Sequence, residues 1–455
     1  MTKIDRSKPP QPGPITQITF PKFITTRTPD GTPVYLVENH EQPLVSVTLY
    51  LRNGSADDTP GREGLASMSA ELLTKGTTSR TATQIAEQID FVGGSLGAGS
   101  SWDATTISTS VLKRYLPTAL DLFADVTLNP VFANEELGRA KLQRIANISQ
   151  AKSDPGYLSE TIFSKKVFAS HPYGLEANGT EESVPEMTSE LLKDHYLAIS
   201  SSLNSFFVVA GDISEEELLS MLTRRFEGWR STPSNPNISL VPSLDTKRIV
   251  AIVEKPQAVQ SAIRVGHIGI PRNHKDYTAC YVLNMLLGGF FNSRINQNLR
   301  EKHGFTYGAR SFFDARKQTG AFAVSTEVRT DVTARAVEEI IKELVLIRKE
   351  AVSEHELRTV KNYIIGSFPI SIETPQQVAG RISTLALYAL DADYYDRFRD
   401  SVSVLTREDL LRTAETYIHP DSVTIAISGD AKTLEHEMKV FGDVEAFDQN
   451  FEKIS

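Results

Sequence analysis

The chain has 455 residues, with 48 Lys plus Arg against 57 Asp plus Glu, a net charge of −9. That balance, with no basic run, argues against nucleic acid as the main partner and against a polybasic membrane anchor. Apolar residues make up 40% and charged residues 23%, an ordinary globular composition with room for about three domains or two large ones.

The first segment, Met1 to Ile15, carries Pro9, Pro10, Pro12 and Pro14 and no apolar run. Residues 1–20 are therefore expected to form an extended arm, with no signal peptide as written. The expected compartment is the cytoplasm as written, or the periplasm or another compartment where a leader has been removed. Val34–Glu38 and Val45–Leu51 alternate like strands. Gly64–Leu73, Ala82–Phe91 and Ala119–Thr127 carry helical spacing. No stretch approaches the roughly 18 apolar residues of a membrane span. The single cysteine, Cys280, excludes an intrachain disulfide and a multi-cysteine zinc site, and is expected to be a small buried hydrophobe.

An internal repeat organises the chain. TSELLKDHYLAISSSLNSFFVVAGD ends at Asp212, and TREDLLRTAETYIHPDSVTIAISGD ends at Asp430. Each reads as a helix opened by Thr188 or Thr406, then a polar loop, a strand and Gly-Asp. Upstream, the segments from Asn134 and Glu354 each hold a long helix, a proline (Pro155, Pro375) and a second helix. Both pairs share nearly one offset, which implies two homologous halves. The Pro, Ser and Asn content of residues 231–246 marks a linker. The expected fold is α+β, with halves at 21–230 and 247–455, each an antiparallel-rich sheet packed with helices.

Asn53–Thr77 reads as a polar loop, a helix from about Gly64 to Leu73, then Lys75-Gly76-Thr77. Phe91-Val92-Gly93-Gly94-Ser95-Leu96, His171-Pro172-Tyr173-Gly174 and Val208 to Asp212 follow. This series resembles the pitrilysin/insulinase (inverzincin) zinc peptidases, which include the mitochondrial processing peptidase, bacterial zinc-protease pairs and the core proteins of the bc1 complex. Active members carry H-x-x-E-H on this helix. Two His at i and i+4 share one face and grip zinc, and the Glu takes a proton from zinc-bound water. Here the pentad is Ser67-Met68-Ser69-Ala70-Glu71. Ser67 and Glu71 hold the histidine positions, Ala70 the base position, and Asn147 aligns best with the family's third ligand, a Glu. The nine histidines include no pair at i and i+4. The resemblance therefore implies no zinc in this chain and no zinc hydrolysis by it alone. His171, a turn histidine before proline, is expected to be a structural hydrogen-bonder.

Leu283–Phe313 suggests a helix from about Asn292 to His303, stopped by Gly304, and a strand beginning near Phe305. Active relatives carry an Arg and a Tyr seven residues apart here, and this chain has Arg300 and Tyr307. A guanidinium suits a peptide carbonyl or carboxylate, and a phenol can donate to an oxyanion. Gly288 and Gly289 align with a glycine-rich substrate loop, although a tight turn explains them equally well. The resemblance implies a non-catalytic subunit that brings Arg300 and Tyr307 to a homologous zinc-bearing partner, the two enclosing unfolded peptide. The alternative is a structural scaffold or a homodimeric peptide-binding protein with no catalytic role; without its partner the chain would be able to form a homodimer.

Overall fold

The computed structural model describes residues 19–232 and 240–454. Residues 1–18 of the expected arm and residues 233–239 of the expected linker lie outside the described residues. Among the described residues twelve strands form two sheets. The first comprises β1 (Ile24–Arg27), β2 (Pro33–Glu38), β3 (Leu44–Leu51), β4 (Ser95–Ser100), β5 (Thr105–Leu112) and β6 (Ser205–Gly211), in the order β1-β2-β6-β3-β5-β4. The second comprises β7 (Ile249–Glu254), β8 (Gln260–Ile268), β9 (Ala309–Ala315), β10 (Gly320–Arg329), β11 (Thr424–Gly429) and β12 (Asp443–Phe447), in the order β12-β7-β11-β8-β10-β9. Five strands follow the same order in both, β2-β6-β3-β5-β4 and β7-β11-β8-β10-β9, but the outer strand differs: β1 opens its half and runs antiparallel to β2, whereas β12 closes its half and runs parallel to β7. β6 and β11 each run parallel to one neighbour and antiparallel to the other. They end at Gly211 and Gly429, the strand ends that the repeat aligns.

Period-2 alternation explains how the sheets are covered. On β6, Phe207 and Val209 join the core beneath the first half's own helices, while Phe206, Val208 and Ala210 face the other way. Those three meet Val378, Ile382 and Leu385 of the helix Pro375–Leu387, which belongs to the second half of the sequence. The reverse holds across the second sheet. Ile252, Phe322 and Ile427 face inward, and Ala251, Ala323 and Ala426 meet Leu158, Ile162 and Phe163 of the helix Pro155–Phe168. Small alanines on that face let the helix approach closely. Each half therefore covers the other's sheet with the helix that follows its Pro, and burial of apolar surface joins the halves.

A polar junction reinforces this seam. Asp103 accepts from the Tyr173 hydroxyl (2.5 Å) and from the backbone N–H of Lys317 (3.0 Å). The Arg316 guanidinium lies over the rings of Trp102, Phe168 and Tyr173 at 4.4–5.1 Å. His171 is buried, its Nδ1 accepts from the Tyr173 N–H at 3.1 Å, and burial pushes its pKa down, so it serves structure as expected. Cys280 is wholly buried, and desolvation pushes its thiol up to about 12. Among the described residues no helix is long and apolar enough to cross a membrane.

Candidate functional site

The motif helix spans Leu65–Leu72. Gly64 precedes it at φ 83°, and a Cβ there would stand 2.5 Å from the backbone of Gly179, so the entry requires glycine. The Asp58 carboxylate accepts from the N–H groups of Gly64 and Ala66, both at 3.0 Å. Burial outweighs these donors and pushes the Asp58 pKa up to about 7.

Ser67 and Glu71 lie one turn apart on one face, as i and i+4 positions must. The group that meets them is a cation from the long helix Asn134–Ala151. Arg144 Nη1 donates to Ser67 Oγ at 2.7 Å and to the Asn178 carbonyl at 3.0 Å. Its Nη2 donates to Glu71 Oε2 at 2.5 Å. Asn147, the residue aligned with a third ligand, is exposed and accepts from Gln143 on its own helix at 2.8 Å. The long helix therefore reaches the motif helix through Arg144, one turn before the aligned position. Ala70 is wholly buried and has no proton acceptor. These residues do not fit zinc, because a permanently charged guanidinium offers no lone pair and spans both would-be ligand positions. Among the described residues no group of three or more His, Cys, Asp or Glu could hold a metal ion.

The second-half residues converge instead. Gly288, Gly289, Arg300 and Tyr307 line one open groove of about 660 Å³, with Phe291 and Glu327 on its walls. Two π-helical segments shape it, Met285–Gly289 and Gln297–Lys302. The expected single helix over 292–303 is thus a short α-turn, Arg294–Asn296, that widens into a π-segment. Such widening re-aims side chains and is frequent at functional sites. Gly304, at φ 62°, follows as expected. The strand begins at Ala309 rather than near Phe305. Thr306 closes a tight turn there, its hydroxyl donating to the Gly308 carbonyl (2.9 Å) and accepting the Gly308 N–H (3.1 Å).

Tyr307 consequently sits on a loop ahead of the strand and is 97% exposed. Arg300 stacks its guanidinium over Phe291 at 4.6 Å, and its Nε lies 3.4 Å from Glu301. Gly288 packs tightly, since a Cβ would stand 2.4 Å from the Ser311 nitrogen on β9. Asn296, which the sequence pattern does not single out, ties the groove together. Its Oδ1 accepts from Ala309 N–H at 3.1 Å, and its Nδ2 donates to the Phe291 carbonyl at 2.7 Å. Arg294 anchors the turn to Glu356 through bonds of 2.6 and 3.1 Å. Burial raises the Glu356 carboxyl, but Arg294 and Ser353 outweigh it and bring it down to about 2. The groove borders β9, an edge strand of the second sheet.

Residues 33–181 match the family model described as insulinase (peptidase family M16), and residues 186–364 match the one described as the peptidase M16 inactive domain. The chain is 24% identical to the "uncharacterized zinc protease YmxG" of Bacillus subtilis over 77% of this chain and 85% of that one. It is 23% identical to the "non-peptidase homolog YmxG" of Helicobacter pylori over 88% and 92%. Its fold matches the crystal structure of a peptidase M16 inactive domain from Pseudomonas fluorescens with a TM-score of 0.85 and 25% identity, covering 90% of this chain and 98% of that one. It also matches the fold of the periplasmic protease PqqL from Escherichia coli, with a TM-score of 0.76 and 15% identity, over 92% of this chain and 49% of that one. With the repeated sheets, the motif helix and these matches together, the chain belongs to the insulinase-like peptidase family M16.

Proposed function

We propose that this chain is the non-catalytic subunit of a two-chain M16 metallopeptidase. It supplies Arg300 and Tyr307 to the zinc site of a homologous partner that carries an intact H-x-x-E-H. The observation that carries this reading is a division of labour. The motif helix has a guanidinium where a metal would need ligands, while the second-half pair lines an open groove with the Tyr307 hydroxyl free in solvent. An unfolded peptide enters extended and adds to the edge of β9 by strand pairing. Arg300 orients it through a carbonyl or carboxylate. Tyr307 donates to the oxyanion that forms at the partner's metal. The "non-peptidase homolog" name of the Helicobacter pylori relative supports a non-catalytic role. PqqL, in which this fold accounts for 49% of the chain, supports pairing of two such units.

The test mixes this chain with a homologous chain of similar length bearing H-x-x-E-H and follows an unstructured peptide. Cleavage only in the mixture, lost with Arg300→Ala, is the expected result. A mixture no more active than its parts would overturn the reading in favour of a scaffold, as would zinc-dependent cleavage by this chain alone.

A further inference from the structure

A second cavity lies beside the seam between the halves, away from the groove. It has a volume of about 110 Å³ and is bounded by Arg272, Tyr277, Arg381, Tyr394, Tyr395 and Phe398. Two arginines face one small space, and none of the residues that line it is acidic. Among the described residues neither guanidinium has a carboxylate at ion-pair distance. The nearest compensation is aromatic. Arg272 lies 3.9 Å from the Tyr277 ring centre and 5.1 Å from that of Tyr394, and Arg381 lies 5.6 Å from that of Tyr395. Ring faces stabilise a cation but accept no full N–H hydrogen bond.

The polar inventory is unbalanced in the same sense. Arg272 is 8% exposed and Tyr395 is 4% exposed. Arg272 Nη1, the Tyr394 hydroxyl and the Tyr395 hydroxyl are buried and have no hydrogen-bond partner. Each buried donor without a partner costs free energy, and three at one cavity wall call for an acceptor. The surplus is of donors and positive charge, so the missing group is an anion with several oxygens. A cavity of about 110 Å³ has room for a small polyatomic anion.

We propose that this cavity is a binding site for a small oxyanion of phosphate size, held by Arg272 and Arg381 and by the hydroxyls of Tyr394 and Tyr395. Planar guanidinium forks suit such oxygens. The anion would neutralise two cations beside the helix Pro375–Leu387, which covers the first sheet, and so would strengthen the seam. The inference is independent of the proposed peptidase role.

The experiment is a thermal unfolding titration of the full chain with sodium phosphate, against sodium acetate and sodium chloride at matched ionic strength. Phosphate is expected to raise the midpoint saturably while chloride does not. Arg381→Gln, at a half-buried position, is expected to weaken the apparent affinity about tenfold or more, as loss of a charged bidentate donor should. Tyr395→Phe, which keeps the ring, is expected to weaken it severalfold. Saturation by acetate with the same loss in both variants also supports the site, and assigns a carboxylate as its anion. Equal shifts in phosphate and chloride would overturn the proposal, and so would an Arg381→Gln response equal to that of the native chain.

Discussion

Arg144 and Glu71 form an ion pair at 2.5 Å across two helices, on the face where a zinc peptidase of this family presents its two histidines. The same guanidinium holds Ser67. A permanent cation therefore bridges the two positions that a metal would bridge. The Arg144 side chain is 11% exposed and that of Glu71 is 38% exposed, so the pair is only partly screened by water. Arg144→Ala leaves Glu71, Ser67 and the Asn178 carbonyl without their donor. It should destabilise the chain by about 1–3 kcal/mol. Urea unfolding would measure this, and an unchanged midpoint would show the bridge to be incidental.

The bridge also sets the conditions for restoring a metal site. Ser67→His, Ala70→Glu, Glu71→His and Asn147→Glu together rebuild the family's donor set. With Arg144 retained, its charge still faces those donors and repels a divalent cation. The fourfold variant should therefore purify with little zinc, and adding Arg144→Gln should bring it toward one zinc per chain. Metal analysis of both proteins decides the matter. Equal zinc in the two would mean that Arg144 is no obstacle.

Much of the fold was legible because its signals are local. Thr188 and Thr406 cap their helices through side-chain oxygens as their positions imply, and Gly211 and Gly429 end equivalent strands. Ala82–Phe91 is the helix its spacing suggests. The loss of the zinc motif was legible once the family resemblance laid H-x-x-E-H on Ser67–Glu71. Arg144 was not, because a charged residue on a mostly solvated helix has no pattern that distinguishes a bridge from a surface charge. The π-segments escaped for a related reason. Asn292 to His303 has ordinary helical composition, and its widening depends on tertiary ties such as Arg294–Glu356 and Asn296–Ala309. The exchange of covering helices between the halves was hidden too. Ala251, Ala323 and Ala426 read as strand residues, and nothing local says which helix fills the space beside them.

On the role proposed for Tyr307, one substitution separates catalysis from stability. It is 97% exposed and makes no hydrogen bond among the described residues, so Tyr307→Phe should change stability by less than about 0.5 kcal/mol. In the proposed two-chain enzyme the hydroxyl would be needed only where negative charge develops. The variant should lower kcat by about 10²–10³ with little change in KM. A KM effect with unchanged kcat would instead assign Tyr307 to ground-state binding.

His267 makes the fold sensitive to acid. Its Nδ1 lies 2.7 Å from the Ile268 carbonyl, and its Nε2 accepts from the His419 N–H at 3.1 Å. One nitrogen thus carries the proton and the other must remain bare. Burial, opposed only by the Ile268 bond, pushes its pKa from the ordinary 6.5 to about 4. His419 is also pushed down by burial, and Arg348 opposes a second positive charge nearby. With the folded value depressed, the unfolded chain binds more protons below pH 6.5. The contribution is intact above that pH and is lost as pH falls toward 4, on the order of 3 kcal/mol in all. The urea midpoint should decline across this window, and the His267 ring signal should not titrate above about pH 5. A ring that titrates near 6.5 in the folded chain would refute the assignment.

The reciprocal clasp makes a claim about cooperativity. The helix Pro155–Phe168 covers the second sheet and the helix Pro375–Leu387 covers the first, so neither half can unfold without uncovering the other. Arg316 stands at the seam among Trp102, Phe168 and Tyr173, and its Nη2 donates to Asp314 at 2.5 Å. Arg316→Ala should cost about 2–3 kcal/mol through lost cation–π contact and a cavity among three rings. Arg316→Lys keeps the charge but cannot spread a planar cation over those rings, and should recover less than half of that loss. In both variants the chain should still unfold in one transition, shifted as a whole, because the seam is shared. Intrinsic fluorescence of Trp102 and Trp229, both in the first half, compared with hydrogen exchange on β10 in the second, would follow the two sheets separately. Loss of one sheet before the other in Arg316→Ala would show that the halves are independent folding units and that the exchanged helices do not couple them.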